Sequence, residues 1–182
     1  MKQTVVAKRY ARAIFRLGQE NGTVDSYAET LSTLADLFDD PELEVAETLI
    51  NPLYPLEARH KVMTAIAEAA GADALMIAFL NLLVERKRID VLREVAAEVR
   101  GMLDLEKNIS HGRVTSAIEL DDVLLGKIQA KLEDITGNKV ILETQVDPSL
   151  IGGMIARVGD LVLDGSIRTQ LNGLKESIKG RE

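Results

Sequence analysis

A chain of 182 residues, 46% of them hydrophobic, has enough apolar material for one large core or two small ones. Its formal net charge of −7 is the wrong sign for neutralising phosphates, and with 3% aromatic residues it lacks base-stacking platforms, so the composition argues against a nucleic-acid binder. The absence of Cys excludes disulfides, thiolate metal sites and thiol nucleophiles.

With so few aromatics and no Trp, the core must be mainly Ala, Leu, Ile and Val, which favours helices. The first residues carry Lys2, Lys8, Arg9, Arg12 and Arg16 with no acid before Glu20, a bias shared with organellar transit peptides. Ser is missing there, however, and the stretch reads directly into a helix. Val6, Tyr10, Ala13, Ile14 and Leu17 recur at helical spacing until Asn21-Gly22 stops them. Thr23 or Asp25 can cap a second helix with Tyr27, Leu31, Leu34 and Phe38 on one face, and Asp40-Pro41 ends it while opening a shorter third helix that stops at Asn51-Pro52.

A fourth helix is predicted from about Pro55, with Val62, Met63, Ile66 and Ala70 aligned and Gly71 as its left-handed end. Asp73 caps the fifth, Ala74 to Arg86, which is apolar nearly all round and must be covered on several sides by neighbours or by a partner. Its longest apolar run is broken by Asn81 and falls short of the roughly 20 residues that cross a bilayer, so the chain is expected to be soluble. A sixth helix follows Arg88 with Leu92, Val95, Val99 and Leu103. Short connections between six such helices predict an antiparallel bundle over 1–107.

After Lys107 the pattern changes. Asn108 to Arg113 reads as a polar linker, and Val114 to Ile118 as β-branched strand. Asp121 opens a seventh helix with Leu124, Ile128, Leu132 and Ile135, ended by Gly137, and Lys139 to Val146 alternates as a strand. Met154 to Val158 and Leu161 to Leu163 flank Gly159-Asp160, a hairpin signal. A last helix uses Ile167, Leu171, Leu174 and Ile178. Residues 108–182 are therefore expected to form a small α/β domain, behind an all-α six-helix bundle, that would gain stability by docking on something else.

Chemistry is hard to find. No phosphate-binding glycine loop occurs, and Gly126-Lys127 lacks the preceding Gly and following hydroxyl such a loop needs. His60, on the predicted polar side of helix four, and His111, in the linker, have no spaced partners for metal or triad work. Asp160, Asp164 and Ser166 read as a turn and a helix cap, and Gly152-Gly153 as a bulge or close backbone approach. No catalytic residue, cofactor or metal is expected. Lys8, Arg12 and Arg16, each four apart, form a like-charged stripe that opposes the helix dipole. Either acidic neighbours such as Asp39, Asp40 or Glu42 offset it, or an acidic partner does.

Three stretches carry a resemblance: AKRYARAIFRLGQENG (Ala7 to Gly22); FLNLLVERKRIDVL (Phe79 to Leu92) followed by VTSAIEL (Val114 to Leu120); and VDPSLIGGMIARVGDLVLDGSIRTQL (Val146 to Leu171), the most specific. In this order they resemble the delta subunit of F-type ATP synthases, the family of the mitochondrial oligomycin-sensitivity-conferring protein. The resemblance implies a non-catalytic stator connector that resists rotor torque, peripheral to the cytoplasmic side of a bacterial cell membrane. It implies an N-terminal domain seated on the catalytic hexamer and a C-terminal domain meeting the b subunits of the peripheral stalk. Helices one and five would form a groove for an amphipathic N-terminal helix of an alpha subunit. Here those elements carry Val6, Tyr10, Ala13, Ile14, Phe79 and Leu83, each of which could equally be bundle core. The competing reading is a helical adaptor outside the ATP synthase.

Overall fold

The computed structural model describes residues 2–39, 45–51 and 53–171. Two units separate by their internal packing, Met1–Leu103 and Asp104–Glu182, and they are built on different principles.

The first is helical. Its described residues hold α1 (Lys2–Asn21), α2 (Val24–Asp39), α3 (Val45–Ile50), α4 (Leu56–Ala69), α5 (Ala74–Glu85), a 3-10 turn over Ile89–Val91, and α6 (Leu92–Glu106), whose last turn passes into the second unit. The expected opening of helix three at Pro41 and the stop at Pro52 lie outside the described residues. Local chemistry sets several ends: Pro55 precedes α4, Gly71 follows it at φ +76°, and the Asp73 carboxylate accepts the Met76 N–H at 2.8 Å to cap α5. The other Asp73 oxygen accepts from the Tyr27 hydroxyl at 2.7 Å, so one cap also fastens α2 to α5. Helix six does not begin directly after Arg88 as expected. Arg88 supplies no side-chain cap, and the chain first tightens into the 3-10 turn, which turns Ile89 and Val91 into the core.

Ile14, Leu31, Leu34, Met63, Leu80 and Leu83 are among the large, fully buried members of that core. One charged side chain joins it. Arg59 is 7% exposed, and its Nη1 donates to the Leu49 carbonyl at 3.3 Å, satisfying an orphan acceptor near the end of α3.

Among its described residues the second unit holds a four-stranded sheet and a crossover helix: β1 (Ile109–Ser116), α7 (Asp122–Thr136), β2 (Lys139–Val146), a 3-10 turn over Pro148–Leu150, β3 (Met154–Val158) and β4 (Leu161–Asp164). Spatial order is β2-β1-β3-β4, with β1 and β2 parallel across the α7 crossover and the other pairs antiparallel. Val158 faces Leu161 across the two-residue Gly159-Asp160 turn, the expected hairpin. Val114, Ile128, Leu132, Val140, Ala156 and Val158 form the core.

The expectation of a polar linker over Asn108–Arg113 is overturned. Residues 109–113 are the first part of β1, paired with β2 from Ile109↔Lys139 onward. His111 and Arg113 lie on the open face of the sheet, while position 112, on the covered face, is a glycine and gives no apolar signal. Gly112 is there for fit, since a Cβ would stand 2.7 Å from Val158 Cγ2 and 3.0 Å from Leu142 Cδ2. Gly153, at φ +79°, allows the closer approach foreseen for the Gly152-Gly153 pair: a Cβ there would meet the Gly165 carbonyl oxygen at 2.3 Å. Residues 167–171 are helical; Leu174 and Ile178 lie outside the described residues.

Candidate partner-binding surface

No group of three or more His, Asp or Glu converges among the described residues to hold a metal ion. Asp164, Ser166 and Thr169 do meet, but as a helix start: Asp164 accepts the Ser166 N–H at 2.9 Å and the Thr169 hydroxyl at 2.8 Å, and Ser166 Oγ accepts the Thr169 N–H at 3.2 Å. The Ser166 N–H, followed by the Thr169 hydroxyl, holds the Asp164 carboxyl below its ordinary range. A carboxylate so stabilised is a poor general base, and Ser166 is 1% exposed, so the pair offers neither activation nor access. His111 sits on β1 with its Nε2 3.0 Å from Asp104. His60, expected on a polar side, is half-buried.

The surface with binding character is built by α1 and α5. In α1 the buried set Ala7, Ala11, Ile14 and Gly18 marks the inward direction. Tyr10 stands to one side of it, half-buried, and its ring meets Phe79 of α5 edge-on with centroids 6.2 Å apart. Beyond Tyr10 on the same flank run Val6, Ala13 and Leu17, at i, i+7 and i+11, a partly exposed apolar line. In α5, Met76, Leu80, Leu83 and Val84 point inward, and beyond Phe79 run Leu75, Ala78 and Leu82 at i, i+3 and i+7. The Tyr10–Phe79 contact thus forms a floor between two accessible apolar lines.

Of the six residues expected here, Val6, Tyr10 and Ala13 keep accessible surface, and Phe79 lies in the floor at 8% exposure. Ile14 and Leu83 have none; a partner would reach them only by opening the core. The accessible residues missed by sequence reasoning are Leu17, Leu75, Ala78 and Leu82. In α5 no periodic signal could have separated Leu82, 39% exposed, from its buried neighbour Leu83, because both sides of the helix are apolar.

The outer face of α1 is basic. Lys8 reaches Glu98 of α6 at 3.6 Å. Arg9, Arg12 and Arg16 are exposed and pair with no carboxylate among the described residues; Asp40 and Glu42, named above as a possible intramolecular offset, lie outside those residues.

Sequence and structure comparisons converge. Residues 6–178 match the family model described as ATP synthase delta (OSCP) subunit. The ATP synthase subunit delta of Desulfotalea psychrophila is 56% identical over 183 aligned residues, covering 100% of both chains. That of Desulfosudis oleivorans is 41% identical, covering 100% of this chain and 99% of the relative. A chain in the cryo-EM structure of the Toxoplasma gondii mitochondrial ATP synthase hexamer shares the fold at TM-score 0.68 and 20% identity, over 94% of this chain and 96% of that one.

Proposed function

Because this chain belongs to the ATP synthase delta (OSCP) subunit family, and so is a structural stator component of the peripheral stalk of F-type ATP synthase, we propose that its α1–α5 surface receives an amphipathic helix of an alpha subunit. Membership sets aside the reading of a helical adaptor outside that complex. The observation that carries the proposal is the pair of accessible apolar lines, Val6, Ala13 and Leu17 on α1 and Leu75, Ala78 and Leu82 on α5, on either side of the Tyr10–Phe79 floor. Two apolar lines at helical spacing suit a third helix laid between them.

In this reading the helices of residues 1–107 form the bundle seated on the catalytic hexamer, and residues 108–182 meet the b subunits, on the cytoplasmic side of a bacterial cell membrane. No described helix is long and apolar enough to cross a membrane, and as a family member the chain is a peripheral part of a membrane-bound complex. An apolar recess of the second unit supports the stalk contact: Ile128, Leu132, Met154, Ala156 and Leu163 line it, with Lys127 and Lys131 beside them. The mechanical task is slow dissociation under load. Two moderate contacts engaged at once raise avidity about 100- to 10,000-fold over either alone.

The test is titration of the full chain into the isolated catalytic head of its own enzyme. Leu82→Asp sets a charge in the desolvated contact and is expected to weaken binding at least about 100-fold. Ala97→Asp, exposed on α6, keeps wild-type affinity. Equal affinities for the two folded variants would refute the groove.

A further inference from the structure

Arg9 and Arg16 lie on the outer flank of α1 immediately beside Ala13, which belongs to the apolar line, while Lys8 on the opposite flank is engaged with Glu98. On a chain of net charge −7, three exposed arginines without carboxylate partners among the described residues are a local positive excess. Glu20, one turn past Arg16, forms an ion pair with none of them.

We propose that the helix received by the α1–α5 surface carries acidic side chains about two turns apart along the edge that faces Arg9 and Arg16. The inference rests on the groove reading above and names the chemistry of its occupant. Arg9 and Arg16 are separated by two turns, about 10 Å along the axis, which a facing helix matches with carboxylates at i and i+7. Guanidinium forks at the rim of an apolar contact orient the incoming helix and speed its capture. An anionic lipid surface fits less well. The main apolar face of α1 is already consumed by the core, leaving only the narrow line of Val6, Ala13 and Leu17 to enter a bilayer.

Association of the full chain with the catalytic head, followed at about 0.1 M and about 1 M salt, where the screening length falls from about 10 to about 3 Å, tests this. Arg9→Gln with Arg16→Gln is expected to slow association about tenfold at the lower salt and to converge with wild type at the higher. Lys61→Gln with Arg100→Gln makes the same change in net charge at exposed sites elsewhere and keeps the wild-type rate. A double arginine variant that associates like this control overturns the proposal. If Leu82→Asp still abolishes binding in that case, the groove stands and only the acidic edge falls; if Leu82→Asp also binds normally, both fall. Flotation with vesicles of phosphatidylcholine and phosphatidylglycerol should show no binding that depends on Arg9 and Arg16. Arginine-dependent flotation would assign the stripe to lipid and overturn the proposal.

Discussion

The helical unit and the sheet unit solve the problem of stability in different ways. The first surrounds Ile14, Leu31, Leu34, Met63, Leu80 and Leu83 completely, with apolar side chains from α1 to α6 contributing. Among its described residues the second has a core of six, with no aromatic among them. It adds backbone fit at Gly112 and Gly153 and carboxylates that bind backbone N–H groups: Glu133 on Val140, Asp147 on Ser149, Asp164 on Ser166. A deep core lets the first unit leave apolar lines exposed without unfolding. A shallow one makes the second sensitive to small changes of shape and charge.

Leu80→Ala should expose that difference most strongly. It removes a fully buried side chain and is expected to cost about 3 kcal/mol, read by chemical denaturation of the first unit. A loss below about 1 kcal/mol would mean that the helical core is loosely packed. Gly153→Ala, placing a Cβ against the Gly165 carbonyl in a left-handed conformation, should cost about 2 kcal/mol. Its signature is faster amide exchange in β3 and β4 with α2 and α5 unchanged, and protected β3 amides would show that the close approach is dispensable.

Tyr27→Phe deletes the hydroxyl that joins α2 to the α5 cap and should cost about 1 kcal/mol. Burial first, with the Asp73 carboxylate adding to it, raises the Tyr27 pKa. The contribution of that hydroxyl is therefore complete below about pH 10 and is lost as pH rises through the raised value. A Phe variant with wild-type stability at neutral pH would remove the bridge from the account.

The smallest effect is acid sensitivity. Glu133 is held low chiefly by the Val140 N–H, Asp147 by its hydrogen bonds from Ser149, and Asp164 by the Ser166 N–H. Lowered carboxylates stabilise above their unfolded values, near pH 4, and lose that contribution as pH falls through the folded ones. Acidification below about pH 4 should open the sheet unit before the helical unit. Simultaneous loss of both would deny the distinction.

Caps and turns were the most legible part of the chain. Asp73, Asp121, Gly137 and Gly159-Asp160 stand where the sequence predicts, because capping and turn chemistry is local. What escaped was set by distant contacts. Residues 109–113 read as linker because the strand's covered face there is Gly112, chosen to fit Val158 and Leu142. Arg59 lies buried because the Leu49 carbonyl needs a donor, which no periodicity records. In the proposed binding surface, the helices were identifiable but not their outward sides. Ile14 and Ala13 are neighbours in an apolar line, and only the fold shows that one is enclosed and the other exposed.

That adjacency supplies the most direct test of the α1–α5 surface as the docking site for the catalytic head. Ala13→Asp is to be compared with wild type by circular dichroism and by its affinity for the isolated head, with Ile14→Asp as the core reference. Ala13→Asp is expected to fold normally and to bind at least about 100-fold more weakly, whereas Ile14→Asp is expected to unfold the first unit because it strands a charge in the core. A folded Ala13→Asp chain that binds the head with wild-type affinity would contradict docking at the α1–α5 surface.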